Sequence, residues 1–389
     1  MGPRGDGGAR ADRAAECGRC VGPARPLLLT GLRGVGKTVL LNAMMDRVTE
    51  ADWFAVKIEA SSGRAGAVRA RRAIAAGLVR ASMAYKARSA LAAVGRMLST
   101  VSSFSVSLGI DSFSLGVERD PVRASTGNLD LDFQDVVADV SRVLGEERVA
   151  FAILVDEMQD LDGELLAALI TTQHEASQRD WNFYVIGAGL PSLPGKLATA
   201  KSYAERMFLV RRIGRLNEAE SRRVLVEPAE RMGASFEEPA LTHLVNISGR
   251  YPYFLQEFGS AIWRTSPRSP FTGADARRAE AVGLAQLDAM FFSSRWERIT
   301  PAEREYLGAI AEEAGESTAS AAIAVRLNRS VQSLGPAREP HQQGSDLRSA
   351  AGQNRLHGSR IRPVHRPGDG AGTGLKPPPA RPVAGAGRG

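Results

Sequence analysis

Short apolar runs alternate with segments of helical periodicity in the first half of the chain. The apolar runs have the length of β-strands and lie at 26–30, 53–60, 149–157, 182–189 and 206–213. The segments between them place apolar residues at helical spacing and lie at 37–51, 64–100, 131–145 and 162–179. Strands that alternate with helices are typical of a parallel sheet covered by helices, so the pattern predicts an α/β core.

Two stretches of this region depart from the simple alternation. The segment 104–118 alternates polar and apolar residues around Gly109 and Asp111. A period of two on both sides of a glycine predicts a β-hairpin. The segment 190–195, with its two prolines, predicts a turn before the last strand.

The pattern changes after the last strand. Only helical segments follow, at 217–232, 237–248, 251–265 and 274–292. An all-helical run next to an α/β core predicts a second, smaller domain. We therefore expect a core over 26–214 and a helical domain over 215–295.

The ends of the chain differ in composition from its middle. Trp53 is the first aromatic residue and Tyr306 the last, and residues 338–389 consist mainly of Arg, Pro, Gly, Ala and Gln. Such a composition cannot bury enough apolar surface to fold, so we expect a disordered basic tail over 338–389. We expect residues 1–25 to be disordered as well.

The net charge of +7 also belongs to the ends. Residues 1–25 carry a net charge of +2 and residues 336–389 one of +6, which leaves about −1 for the rest of the chain. The charge therefore does not indicate a nucleic-acid-binding face on the folded part.

Features of membrane or secreted proteins are sparse. The chain has no apolar run of about 18 residues, so we expect no membrane span and no membrane partner. An apolar signal segment is missing near the N-terminus, and two cysteines, Cys17 and Cys20, are too few for a disulfide scaffold. These features predict a cytoplasmic location.

A glycine-rich loop follows the first predicted strand. Gly31-x4-Gly36-Lys37-Thr38, placed between a strand and a helix, is the full P-loop pattern. Its glycines let successive backbone N–H groups surround phosphates, and the helix N-terminus adds a positive dipole. We expect Lys37 to reach the β- and γ-phosphates and the Thr38 hydroxyl to bind Mg²⁺. The predicted nucleotide-binding residues of the loop are Gly31, Leu32, Arg33, Gly34, Val35, Gly36, Lys37, Thr38 and Val39. A glycine-rich turn without a ligand is the alternative.

Two carboxylates end the third predicted strand. The run "FAILVDE" places Asp156 and Glu157 at the edge where open α/β sheets bind ligands. We expect Asp156 to hold Mg²⁺ and Glu157 to polarise the attacking water. The alternative is that the acids of this stretch serve the following helix, with Asp160 or Asp162 as its N-cap.

These residues resemble the AAA+ class of P-loop ATPases, and within it the branch shared by origin-recognition-like, archaeal-type and STAND ATPases. The resemblance covers about 26–335 and rests on the Walker A and Walker B boxes described above and on "YVIGAGLP", "SYAERMF" and "SGRYPYFLQ". Much of the chain is similar to actinobacterial ATP-binding proteins. The resemblance implies an AAA+ fold, with the helical domain acting as a lid, and it implies ATP and Mg²⁺ as cofactors.

The resemblance also implies roles outside the P-loop. Such proteins usually keep a polar sensor residue after the fourth strand, but Gly187-Ala188-Gly189 offers no side-chain donor. Arg206 falls where an arginine finger reaches a neighbouring subunit's nucleotide, which implies a homo-oligomer; the alternative is a solvated charge at the start of a strand. Tyr251 and Pro252 belong to an element that is similar to the one that packs on adenine, and lid core is the alternative for the tyrosine.

The segment 296–337 resembles the first helices of a winged-helix domain, with "VRLNRSVQSLGPAR" as the region of its recognition helix. No strand pair with aromatic residues follows, so the winged helix is partial. The resemblance implies DNA as a partner through this region.

The function implied is that of an ATP-binding protein with slow Mg²⁺-dependent hydrolysis, acting as a DNA-associated conformational switch. Two alternatives remain open at this point. One is a STAND-like signalling switch that assembles with protein partners, and the other is a nucleotide-binding remnant without turnover.

Overall fold

The computed structural model describes residues 25–87, 94–108, 124–266 and 268–289. Five strands in these residues form one sheet: β1 (Leu27–Thr30), β2 (Phe54–Glu59), β3 (Phe151–Asp156), β4 (Phe183–Gly189) and β5 (Leu209–Arg212). The strand order is β2-β3-β4-β1-β5, and every neighbouring pair is parallel. All carboxyl ends therefore lie at one edge of the sheet. The predicted parallel α/β core is confirmed.

Seven helices accompany the sheet in the part of the chain that the structure describes. They are α1 (Lys37–Glu50), α2 (Gly63–Lys86), α3 (Val94–Ser107), α4 (Leu129–Glu146), α5 (Gly163–Gln178), α6 (Leu193–Ala200) and α7 (Ala204–Met207). A 3₁₀ turn, Met158–Asp160, separates β3 from α5. Four further helices form the predicted helical domain: α8 (Glu218–Arg231), α9 (Glu238–Ile247), α10 (Pro252–Thr265) and α11 (Gly273–Leu287).

The main core lies between one face of the sheet and helices α2 to α6. Phe54, Phe151 and Phe183 stand side by side on β2, β3 and β4, with ring centroids 4.9 Å apart in both neighbouring pairs. The opposite face of the sheet packs against α1, where Leu41 is fully buried. Helices therefore cover both faces, as the alternating pattern predicts.

The predicted hairpin over 104–118 is wrong where the structure describes it. Residues 104–107 are the end of α3, and 109–118 lie outside the described residues. The Ser103 and Ser105 hydroxyls donate to carbonyls four residues earlier, at 3.1 and 2.8 Å. Because these hydroxyls are satisfied inside the helix, α3 can be buried on nearly all sides, while its apolar residues Val94, Met97, Leu98, Val101 and Phe104 keep helical spacing.

Other boundaries differ more modestly from the predictions. The helix predicted over 64–100 is two helices, α2 and α3, and the predicted turn at 190–195 continues directly into α6, with Pro194 in its first turn. The last strand is shorter than predicted because α7 takes up residues 204–207. The predicted winged helix and both predicted disordered ends lie outside the described residues, apart from Arg25.

Asp162 joins two helices of the core. Its carboxylate caps α5 by accepting the N–H of Leu165 at 3.1 Å, and Arg71 of α2 lies 2.5 Å from it. Burial raises the pKa of the Asp162 carboxyl, but the hydrogen bonds from Arg71 and Leu165 outweigh burial, and this pKa lies below its ordinary value. The predicted capping role of Asp162 is therefore present in the structure.

We expect Asp162→Ala to lower the free energy of unfolding at pH 7 by about 0.5–2 kcal/mol, the range for a lost N-cap. Because the folded-state pKa is depressed, Asp162 stabilises the fold above the pKa of a free Asp, about 3.9. This contribution is lost as pH falls through the lower folded pKa. Urea unfolding should therefore show a difference from wild type that shrinks below about pH 4. Asp46→Ala, at an exposed site on α1, should leave the free energy unchanged; an equal loss in both variants would contradict the role of Asp162.

Within the described residues, no helix is both long enough and apolar enough to cross a bilayer.

Candidate nucleotide-binding site

The P-loop runs from the end of β1 to the first residue of α1 and has the backbone that its glycines predict. Gly34 and Gly36 have φ values of 81° and 91°, in the left-handed region that favours glycine. Gly36 is the N-cap of α1, and no side chain caps that helix. The first N–H groups of α1 are therefore available to an anion at the carboxyl edge of the sheet.

Lys37 is folded into the loop that it follows. Its side chain is only 5% exposed, and Nζ donates to the carbonyl oxygen of Leu32 at 2.9 Å. The neighbouring Thr38 is exposed, and Val39 is 67% exposed. The structure therefore keeps the ammonium of Lys37 inside the P-loop and leaves the Thr38 hydroxyl accessible.

The acidic pair lies at the same edge of the sheet. Asp156 ends β3, is 4% exposed, and its Oδ1 accepts the N–H of Glu157 at 3.0 Å. Glu157 has φ 48° and ψ 40°, so the chain turns sharply as soon as the strand ends. Only β4 separates β3 from β1, which places their axes about 10 Å apart. The structure thus brings the P-loop and the two carboxylates together, as the sequence predicts.

The carboxyl end of β4 lies between the P-loop and the acidic pair, and it is hydrogen-bonded to the P-loop. The carbonyl of Gly189 accepts the N–H of Gly31 at 3.2 Å. A Cβ at Gly187 would lie 2.3 Å from Sδ of Met158, and one at Gly189 would lie 2.4 Å from Oε1 of Gln159. Side chains from the turn after Glu157 therefore fill the space beside both glycines, and a larger residue at either position would displace them.

Gln159 is a residue of this site that the sequence analysis did not identify. Its Nε2 donates to Oε2 of Glu157 at 2.7 Å, and its Oε1 accepts the N–H of Leu190 at 3.0 Å. In the sequence, Gln159 is indicated only by the two glycines at alternate positions of β4. They leave room for two larger side chains from the turn that follows the neighbouring strand, β3.

The helical domain sits directly on the P-loop. The Tyr251 hydroxyl donates to the carbonyl of Arg33, and the N–H of Tyr253 donates to the carbonyl of Gly34 at 3.1 Å. Val35 is buried in the core of the helical domain. In a trans peptide the C=O and N–H point in opposite directions. Holding these two carbonyls toward the helical domain therefore turns the following N–H groups toward the interior of the loop.

Tyr251 and Pro252, predicted to contact adenine, both lie next to the loop. The ring of Tyr251 is 4% exposed and stands 5.0 Å from the ring of Phe254, so it is part of the helical domain's core. Pro252 is half-buried in the first turn of α10. Arg250, which precedes them, has φ 62°, in the left-handed region that favours glycine.

We expect Tyr251→Phe to weaken ATP binding about fivefold, because one hydrogen bond of about 1 kcal/mol no longer orders the P-loop. Titration with a fluorescent ATP analogue measures this change. Tyr203→Phe is the matched control, since that tyrosine stacks on His174 away from the loop. Wild-type affinity in Tyr251→Phe would show that the hydroxyl does not order the P-loop for nucleotide.

Arg206 is not brought to this site within one chain. It is exposed on α7, immediately before β5. The N–H of Leu209 donates to the carbonyl of Pro26 at 2.8 Å, so the start of β5 lies beside the start of β1. Arg206 therefore lies at the amino edge of the sheet, opposite the P-loop.

Comparison with known proteins identifies the class of the core. Residues 14–186 match the family described as AAA ATPase domain. The AAA+ class predicted from the P-loop and the acidic pair is confirmed by this match over residues 14–186. Residues 289–340 match a family described as a domain of unknown function (DUF8462), of which the structure describes only the first residue.

Solved structures that resemble this chain share little sequence with it. The ORC2 protein of Aeropyrum pernix, in ADPNP–ADP complexes, is 15% identical with a TM-score of 0.49, over 78% of this chain and 74% of that one. The ORC1 protein of Aeropyrum pernix, in complex with DNA, is 15% identical with a TM-score of 0.43, over 89% and 83%. The RuvB Holliday junction branch migration motor of Thermotoga maritima is 15% identical with a TM-score of 0.43, over 88% and 87%. These TM-scores are low, so the class assignment rests on the match over 14–186. No curated protein matches the chain.

Proposed function

We propose that this chain binds ATP with Mg²⁺ at the carboxyl edge of its sheet, hydrolyses it slowly, and moves its helical domain in response. The observation that carries the proposal is the placement of the P-loop and the Asp156–Glu157 pair at one edge, two strands apart. An anion-binding loop and a carboxylate base at that separation are what phosphoryl transfer to water requires.

The residues present suit Mg²⁺. The Thr38 hydroxyl and the Asp156 carboxylate are hard oxygen donors, and among the described residues no cluster of three acids, histidines or cysteines forms a closed metal cage. Mg²⁺ usually takes only one or two protein ligands and completes its shell with phosphates and waters. When bound, the ion would neutralise charge on the β- and γ-phosphates.

Two residues would act directly on bound ATP. Lys37 would exchange the neutral carbonyl of Leu32 for phosphate oxygens, a stronger charge-assisted contact. Glu157 would orient and polarise a water molecule for attack on the γ-phosphate. These roles are the ones that the sequence predicts for both residues.

The helical domain would act as the responding element, or lid. It is hydrogen-bonded to the P-loop through the Tyr251 hydroxyl and the N–H of Tyr253, and its core includes Val35. A change in the backbone of the loop on nucleotide binding would therefore alter the domain's own hydrogen bonds and packing. This direct contact supports a conformational switch.

Arg206 supports the proposal of a homo-oligomer, because its exposed position at the amino edge is open to the nucleotide of a neighbouring subunit. The alternative is a solvated charge before β5. The origin-recognition-like branch rests on the motifs over 26–335 that carry the resemblance, and the DNA-associated role rests on the predicted winged helix over 296–337.

One experiment tests the proposal on the full chain. Phosphate release from ATP should require Mg²⁺, and its rate per chain should rise with protein concentration if a neighbouring subunit completes each site. Arg206→Ala should abolish that rise. Bound ATP without phosphate release would favour a nucleotide-binding remnant, and ATP-dependent oligomers that do not bind DNA would favour a STAND-like switch.

A further inference from the structure

The end of β4 occupies the central position in the site and carries no polar side chain. It lies between β1, which leads into the P-loop, and β3, which ends at the acidic pair. Its last three residues are Gly187, Ala188 and Gly189. No side chain of these three residues can therefore hold the carboxylate of Glu157 in place.

The turn after β3 fills this gap. Gly187 and Gly189 are two residues apart, so they open toward the same face of β4. Met158 packs where a side chain of Gly187 would stand, and Gln159 packs where one of Gly189 would stand. The space beside the two glycines of β4 is thus filled by the side chains of two consecutive residues from the turn that follows β3.

The orientation of the Gln159 amide follows from its partners. Its Oε1 accepts the N–H of Leu190, so its NH₂ group must face the other way. That group donates to Glu157 at 2.7 Å and lies 3.4 Å from a carboxylate oxygen of Asp160. The carbonyl of Gln159 accepts from the ammonium of Lys196 on α6, which anchors the backbone of the turn.

We propose that Gln159 is the positioning residue of this ATPase site. Its amide holds the Glu157 carboxylate in place for the attacking water and links it to the end of β4, which is itself bonded to the P-loop at Gly31. Gln159, in the turn after β3, thus holds the Glu157 carboxylate, a role that a polar side chain at the end of β4 could otherwise fill. This inference rests on the proposed hydrolysis of ATP.

The direct test compares turnover and ATP binding in variants of the full chain. Gln159→Ala and the similarly sized Gln159→Met should each lower kcat about tenfold, a part of the 10²–10⁴ that a general base contributes. The dissociation constant for ATP, measured with a fluorescent analogue, should stay within about twofold, because neither variant alters the P-loop. Gln178→Ala, an exposed glutamine on α5, is the matched control and should turn over at the wild-type rate.

A rescue experiment separates positioning from general damage. Gly189→Ser alone should lower kcat, because its Cβ would lie 2.4 Å from Oε1 of Gln159 and displace the amide. In Gln159→Ala/Gly189→Ser the serine hydroxyl enters the vacated space and offers Glu157 a donor. The double variant should turn over faster than either single variant. The serine Cβ also lies 2.9 Å from Cδ2 of Leu193 in both serine variants, so that cost cancels between them.

Nuclear magnetic resonance tests the hydrogen bond between Gln159 and Glu157 in the protein without nucleotide. With ¹⁵N-labelled glutamine, the Gln159 side-chain resonance is assigned by its loss in Gln159→Met. Glu157→Ala should shift that resonance and speed the exchange of its amide protons with water. No shift would overturn the proposal.

The outcomes distinguish this inference from the proposed function. Wild-type kcat in Gln159→Met, alongside a wild type that hydrolyses ATP and an inactive Glu157→Gln, would overturn the role of Gln159 and leave the ATPase function standing. A wild type that releases no phosphate above an EDTA control would overturn both.

Discussion

Glu157→Gln should lower the rate of phosphate release at least about a hundredfold while ATP remains bound. The substitution keeps the size of the side chain and an oxygen that can accept from Gln159, but it removes the basic carboxylate. Glu157 lies outside the P-loop, at the end of β3, so the substitution leaves the residues that are expected to contact the phosphates unchanged. Single-turnover release of labelled phosphate, with a parallel binding titration, separates the two quantities.

Glu59→Gln is the matched control for this change. Glu59 ends β2 at the same edge of the sheet, in register with Asp156, but one strand farther from the P-loop. We expect it to release phosphate at the wild-type rate. If Glu59→Gln loses activity and Glu157→Gln retains it, the base has been assigned to the wrong strand.

Lys37→Ala should weaken ATP binding by about a hundredfold, which corresponds to roughly 2.7 kcal/mol. The ammonium of Lys37 is held inside the loop by the carbonyl of Leu32, so it is already located where phosphate is expected to bind. Removing it leaves the backbone donors but takes away the full positive charge that offsets the phosphates. Calorimetric or fluorescence titration with ATP measures the loss.

Because Lys37 is buried, the variant's fold must be checked by its melting temperature, and Lys37→Met serves as a second variant that keeps most of the volume. Lys86→Ala, an exposed lysine at the end of α2, is the control and should bind ATP as wild type does. Unchanged affinity in both Lys37 variants would mean that the P-loop does not bind the nucleotide.

The parts of the site that follow from local sequence could be predicted. A P-loop is a contiguous stretch whose glycine, lysine and threonine spacing reflects backbone geometry, and Gly34 and Gly36 do have the left-handed φ values that only glycine adopts easily. An apolar strand that ends in Asp156–Glu157 is equally local. Parallel pairing then brings both to one edge.

The parts that depend on contacts between distant segments could not be predicted. Gln159 belongs to the site because Gly189, thirty residues later, leaves room for its amide. Tyr251 was predicted as an adenine contact from its motif, yet its hydroxyl bonds to Arg33 across the interface between loop and helical domain. Neither partner is visible in a local pattern.

The hairpin predicted over 104–118 failed for a related reason. Helix α3 has its apolar residues at helical spacing from Val94 to Phe104, and the period of two begins only in its last turn. Ser105 and Ser107, which contribute to the apparent period of two, donate to carbonyls of their own helix. The helix therefore continues through residues 104–107, whose local pattern favours a strand.

The most direct test of the ATPase assignment is phosphate release by wild type, Lys37→Ala and Glu157→Gln, measured side by side with Mg²⁺ and ATP. At an ATP concentration that saturates wild type and Glu157→Gln but not Lys37→Ala, whose affinity is expected to be about a hundredfold lower, the geometry of the sheet edge predicts release by wild type alone. Equal rates in all three proteins would contradict the assignment.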